Sequence, residues 1–279
     1  MVDAIRCHPC FPSAMRESAG ALVQEHARNR LLNRLISDRG RALFGILALY
    51  LHFHGAGGLT ASRMADLAEE VGVCSRGRVK ALLVLLRWAG YLSPATSPGD
   101  PRSRPLAPTG RMQAAYRVRW QRQLEVIAPM VAEAGAVAHR LDDPAMFGDF
   151  AVAVGGVIRS GFRILDHCPA IVPVAERDNG LLVLLRLAVS APGSFAGDDP
   201  FALSVTEIAA AVRVSRSHAL NLLREAERHG LIERGAPRTR EGIVVRCRPL
   251  LADSLAGFFA ATYAVMAAGA IEVSGRARP

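Results

Sequence analysis

The chain repeats itself. Asp38-Arg39-Gly40 precedes an apolar run from Leu43 to Phe53, and Asp178-Asn179-Gly180 precedes another from Leu181 to Val189. Further on, D-L-A-E-E-V-G-V-C-S-R parallels E-I-A-A-A-V-R-V-S-R. Leu82-Leu83 matches Leu222-Leu223, and Gly90-Tyr91-Leu92 matches Gly230-Leu231-Ile232, each pair 140 positions apart. An offset held across several segments points to two copies of one folding unit in one chain. With 279 residues there is room for two domains. Hydrophobic residues at 51% against 21% charged give each of them a core.

The second copy is the clearer one. Thr206 to Val212 reads as a short helix with Ile208, Ala209 and Val212 on one face. Val214 turns the corner, and Ser215 is suited to cap the next helix by accepting from a free backbone N–H. Ala219, Leu222, Leu223 and Ala226 then recur at i, i+3, i+4 and i+7, a buried stripe. The helix stops at His229-Gly230, with glycine just past its end. Arg216, Ser217, His218 and Asn221 come to the outer face, and Arg224 and Arg228 follow on it one turn apart. Leu231 to Arg234 reads as a strand, Gly235 to Gly242 as a turn holding Arg238 and Arg240, and Ile243 to Arg246 as the return strand.

Two helices joined by a tight turn, followed by a hairpin, resemble the winged helix-turn-helix transcription regulators, and among them the MarR-like group. The matching residues are T-x-x-I-A in the first helix, V-S-R-S at the turn, and H-G-L-I-E-R leading into the hairpin. The resemblance implies a mainly α fold with small β-hairpin wings, as two tandem winged domains joined by long helices. It implies a second helix lying in a major groove and a wing near the minor groove.

In the first copy the corresponding helix runs from Arg76 to Ala89, with Val79, Leu82, Leu83 and Leu86 buried. Cys74 stands where the second copy has Ser215. Arg76, Arg78 and Lys80 lie at the helix start. No acid occurs between Val71 and Gly99, which favours a polyanion on that surface. Ser93 to Thr109 reads as a long wing with Arg102 and Arg104 near its tip. Leu106 to Arg111 resembles the strand-to-helix junction that closes a MarR-like wing. From Pro101 to Leu124 there are six arginines and no acid, a run able to hold phosphates. Tyr116 and Trp120 among them suit either base stacking or a helix core.

The remaining segments organise these copies. Ser13 to Ser37 reads as a helix, Arg111 to Arg140 as one long helix kinked at Pro129, and Pro144 to about His167 as another. Pro249 to Ala270 reads as a final helix, uncharged from Ser254 to Ile271. The expected domains are residues 1–37 as tail and helix, 38–124 as first winged domain and 125–177 as helical linker. Residues 178–248 are the second winged domain, and 249–279 a packing or dimerisation helix and tail. The helices outside the copies are open to packing, to homodimer formation, or to lining a pocket for a small-molecule effector. A membrane role is not expected.

The formal net charge is +9 and the pI about 10.1, which favours an anionic partner. Five scattered cysteines and no signal sequence suit the cytoplasm. Cys7-His8-Pro9-Cys10 is half a zinc site with no second half, so no metal or other cofactor is expected. No Gly-rich phosphate loop with lysine, His-Glu-x-x-His or Gly-x-Ser-x-Gly occurs. The expectation is a non-enzymatic, sequence-specific regulator on double-stranded DNA. Its base readers are Arg76, Arg78, Arg216, Ser217, His218 and Asn221, with Lys80 beside them. Its phosphate contacts are Arg102, Arg104, Arg224, Arg238 and Arg240. One chain could meet two half-sites about 34 Å apart. The alternatives are a plasmid-type replication initiator with two winged heads, or a winged-helix protein-interaction module.

Overall fold

The computed structural model describes residues 1–28, 39–55, 57–95, 105–193, 195, 199–239 and 242–276. It is mainly helical, with two small antiparallel sheets. The chain divides into two compact units, each holding one repeat. The N-repeat unit comprises Gly40–Phe162 and Tyr263–Pro279; the C-repeat unit comprises Met1–Arg39 and Arg163–Thr262. Residues 125–177 therefore fall partly in each.

The N-repeat consists of α3 (Arg39–Phe53), α4 (Ala61–Glu70), α5 (Arg76–Trp88), β1 (Leu92–Pro94) and β2 (Leu106–Pro108). Leu59 makes an isolated bridge to Leu106 of β2. The C-repeat consists of α10 (Gly180–Ser190), β3 (Phe201–Ser204), α11 (Val205–Val212), α12 (Arg216–Arg228), β4 (Ile232–Thr239) and β5 (Gly242–Cys247). Its sheet order is β3-β5-β4, with Leu203 opposite Ile243 and Ile232 opposite Cys247.

The two repeats share backbone bonds at corresponding turns. Gly90 and Gly230 both take positive φ, 72° and 68°, a conformation that only glycine adopts at low cost. Each lets the chain leave its helix in the same way. Tyr91 N–H donates to the Leu86 carbonyl and Leu231 N–H to that of Ala226, both at 2.9 Å. The hairpins close alike, with Thr109 N–H donating to the Tyr91 carbonyl and Arg248 N–H to that of Leu231. At the earlier turn, Val73 N–H donates to Ala68 and Val214 N–H to Ala209. Ser75, not Cys74, holds the N-cap position matching Ser215. Cys74 is the extra residue in the first copy, which is why the offset is 141 before it and 140 after it.

In the C-repeat the stripe Ala219, Leu222, Leu223 and Ala226 is wholly buried. Each buried leucine contributes about 1.5–3 kcal/mol from the area it withdraws from water. A short α1 (Val2–Arg6) precedes helix α2 (Phe11–Arg28), which packs on α10 and α11. The sequence-expected continuation of α2 to Ser37 lies outside the described residues.

In the N-repeat unit, α6 (Gly110–Ile127) ends before Pro129, and α7 (Ala132–Ala138) starts a separate helix. The long kinked helix is thus two helices. Pro129 cannot donate into a helical ladder, and Val131 adopts extended backbone at φ −140°. Helix α8 (Pro144–Arg159) stops at Ser160-Gly161 rather than near His167, because Gly161 at φ 100° leaves helical space. Gly155 of α8 is a close-approach position: a Cβ there would lie 2.5 Å from the Tyr50 Cβ. Tyr116 and Trp120 are core residues, packed with Phe147 and Phe150. Burial pushes the Tyr116 hydroxyl up to about 12.

Between the repeats run the short α9 (Val172–Ala175) and, after the C-repeat, α13 (Pro249–Arg276). Helix α13 is long and apolar enough to cross a membrane by length and composition, yet 72% of its apolar window is buried within the protein. Leu251, Leu255 and Phe259 are buried in its first half, and Met266, Ala267 and Ala270 in its second.

Candidate nucleic-acid interface

The surface of interest is built on α12. Ser204 caps α11 by accepting from Glu207 N–H at 3.2 Å. Arg213 closes α11 in the left-handed region at φ 58°. Ser215 then caps α12, accepting from His218 N–H at 3.1 Å, and its hydroxyl lies 3.0 Å from that of Ser217. This capped turn fixes where the helix starts, and so which side chains face out.

Arg216, Ser217, Asn221 and Arg224 are all exposed. Arg224 Nη1 donates to Asn221 Oδ1 at 3.1 Å, which joins the two side chains. Such amide and guanidinium edges are the groups that read bases in a major groove. His218 behaves differently from expectation. It is half-buried, and its Nε2 lies 2.9 Å from the Asp178 carbonyl. The tight turn at Asp178-Asn179, with Asn179 at φ 58°, leaves that carbonyl within reach. His218 therefore anchors α12 to the start of α10 rather than presenting its ring outward.

Behind this face sits Glu225, a residue that the sequence pattern did not single out. Its side chain is 7% exposed and meets two arginines, Arg177 at 3.2 Å and Arg228, together with His229 Nε2 at 3.1 Å. It takes the position of Leu85 in the N-repeat. An acid beside a buried leucine stripe, with Arg228 and His229 one turn on, was the available signal. Burial pushes the Glu225 carboxyl up, but the His229 hydrogen bond and the Arg228 and Arg177 charges outweigh it and hold it below the ordinary 4.5. A carboxylate with a depressed folded value contributes stability above its unfolded value, and loses it as pH falls through the folded one. Wild-type protein is therefore expected to lose thermal stability as pH drops below about 4.5, beyond what Glu225→Gln loses. Melting curves from pH 7 to pH 3 for both proteins check this; parallel curves would exclude Glu225 as a contributor.

Two further glutamates of the C-repeat, Glu227 and Glu233, hold arginines in place. Glu227 accepts from Arg234 Nε at 2.8 Å and from Arg234 N–H at 3.1 Å, tying β4 to α12. Glu233 pairs with Arg248 at 2.9 Å. The arginines of the C-repeat thus include a structural pair, Arg234 and Arg248, and the exposed set on α12. Arg238 lies within β4, which runs to Thr239 and so extends beyond the strand expected. Arg102, Arg104 and Arg240 lie outside the described residues.

The N-repeat places its residues otherwise. Arg76 bonds Asp66 Oδ1 at 2.6 Å and Glu69 Oε2 at 2.9 Å, both on α4. These acids raise its pKa further and offset its charge. At the aligned positions of the C-repeat, Ala210 stands in place of Glu69 and Glu207 in place of Asp66. Arg78 and Lys80 are exposed on α5. The arginine run of α6 is also partly engaged. Arg111 donates to the Ala89 carbonyl at 3.0 Å and lies over the Tyr91 ring, and Arg117 pairs with Asp142 at 3.3 Å.

The chain matches no protein-family model, no curated protein and no solved structure. Among the described residues, no group of three or more His, Cys, Asp or Glu side chains is placed to hold a metal ion.

Proposed function

We propose that the chain is a sequence-specific, double-stranded DNA-binding transcriptional regulator with two winged helix-turn-helix domains in tandem, of MarR-like kind, and that the C-repeat does the base reading. The observation that carries this is the outer face of α12. There Arg216, Asn221 and Arg224 stand exposed just after a capped turn, with Asn221 and Arg224 joined by a hydrogen bond. The order α10, β3, α11, α12, β4, β5 supports it, since a hairpin directly after the exposed helix can flank a groove that the helix occupies. The net charge of +9 supplies attraction to phosphates.

In this reading α12 enters the major groove, Asn221 and Arg216 address base edges, and Arg224 approaches phosphate. Ser215, His218 and Glu225 set the orientation of α12 from behind. The test is anisotropy titration of the full chain against its own upstream duplex and an unrelated duplex, each at two salt concentrations. The expected result is affinity for its own region that exceeds the control by about 10³-fold or more at physiological salt. Equal and equally salt-sensitive binding to both duplexes would leave only backbone attraction and overturn base reading.

A further inference from the structure

Helices α5 and α12 have the same length and begin 140 positions apart, so their outer faces can be compared residue by residue. The exposed residues Ser217, Asn221, Arg224 and Arg228 of α12 correspond to Gly77, Ala81, Val84 and Trp88 of α5. All eight positions are exposed. Where the C-repeat carries hydroxyl, amide and guanidinium groups, the N-repeat carries a glycine, a methyl, an isopropyl and an indole. The framework is kept and the chemistry of the face is inverted.

Val84 is 66% exposed and Trp88 75% exposed. Four residues apart on a helix, they share one side. With Arg87 of α5 and Leu92, Ser93 and Pro94 of β1 they line an open groove within the N-repeat unit. Water alone gives no reason for valine and tryptophan to stand together there. An exposed apolar cluster rimmed by polar groups is the mark of an interaction surface, and tryptophan is among the residues most used as anchors.

Charge selects the occupant. No aspartate or glutamate occurs from Gly72 to Gly99, Arg87 lines the groove, and Lys80 lies one turn before Val84. A second copy of the chain seated here by the same face, as a two-fold dimer requires, would set one basic face against another. Duplex DNA would press Val84 and Trp88 against phosphates that neither can satisfy. An amphipathic helix with acidic flanks meets both demands, burying its apolar anchors on Val84 and Trp88 and placing carboxylates by Arg87 and Lys80. We infer that the N-repeat is a docking domain, and that its Val84–Trp88 groove takes an acidic amphipathic helix of a partner protein. This does not rest on DNA reading by α12, which is tested separately.

The chain has two tryptophans, and Trp120 is buried, so a change in the solvent-exposed emission reports on Trp88. The full chain is titrated with a synthetic helical peptide carrying leucines at i, i+3, i+4 and i+7 among glutamates, and with the same leucines among lysines. The glutamate peptide is expected to shift Trp88 emission to the blue, saturably, and to bind at least about tenfold tighter than the lysine peptide. Val84→Arg with Trp88→Arg, which installs the C-repeat residues, is expected to abolish binding of dye-labelled glutamate peptide while leaving the melting temperature unchanged. Val84→Ser keeps Trp88 as reporter and is expected to weaken binding too. Equal binding of both peptides, or peptide binding that survives the double arginine variant, overturns the proposal. So does a chain dimer that only this variant abolishes, or a Trp88 response to duplex DNA in place of peptide.

Discussion

Trp120→Ala is expected to lower the stability of the N-repeat unit by about 3–5 kcal/mol, the cost of emptying an aromatic site in a packed core. Trp120 is 2% exposed. Its ring lies 5.3 Å from Tyr116 and 5.4 Å from both Phe147 and Phe150, centre to centre, drawing together α6 and α8. Each such pair adds about 0.5–1.5 kcal/mol beyond the area buried. The space cannot close by collapse, since its walls are rings held on two helices. Urea unfolding followed by circular dichroism measures the loss. Trp88→Ala is the control: at 75% exposure it is expected to change stability by less than about 0.5 kcal/mol. Similar losses in the two variants would mean that Trp120 is not the centre of this core.

These two tryptophans show what the sequence could and could not tell. The boundaries of α12 were legible because local chemistry sets them, with Ser215 at one end and Gly230 at the other. So was its buried stripe, since helical spacing alone places Leu222 and Leu223 together. The repeat was legible because glycine positions and leucine pairs keep their offset. What escaped were facts made by packing. Arg76 looked like a reader until α4 brought Asp66 and Glu69 against it. His218 looked exposed, but the Asp178 carbonyl of a turn forty residues earlier draws it inward. Val84 and Trp88 lie off the buried stripe of α5, and hydrophobic residues off the stripe were the sign of a second face. The break at Pro129 read as a kink because a proline gives the position of a fault without its size.

Asn221→Ala is expected to cost about 1–3 kcal/mol of discrimination between the preferred duplex and one altered at the base that Asn221 meets. In affinity ratio this is about 5- to 150-fold. An amide gives a donor and an acceptor in one plane, and alanine gives neither, so the loss falls on sequence preference. Binding to unrelated duplex should stay the same, because no charge is removed. Arg224→Ala should act differently. It removes one cation beside the groove, so it should weaken binding across all sequences and reduce the salt slope by about one. The pair of variants thus separates reading from holding on one helix turn. Both side chains are exposed and neither supports the core, so melting temperatures should hold in both. If Asn221→Ala combined with Arg216→Ala leaves discrimination intact at every base of the preferred duplex, α12 is not the reading helix, whatever the affinity for DNA.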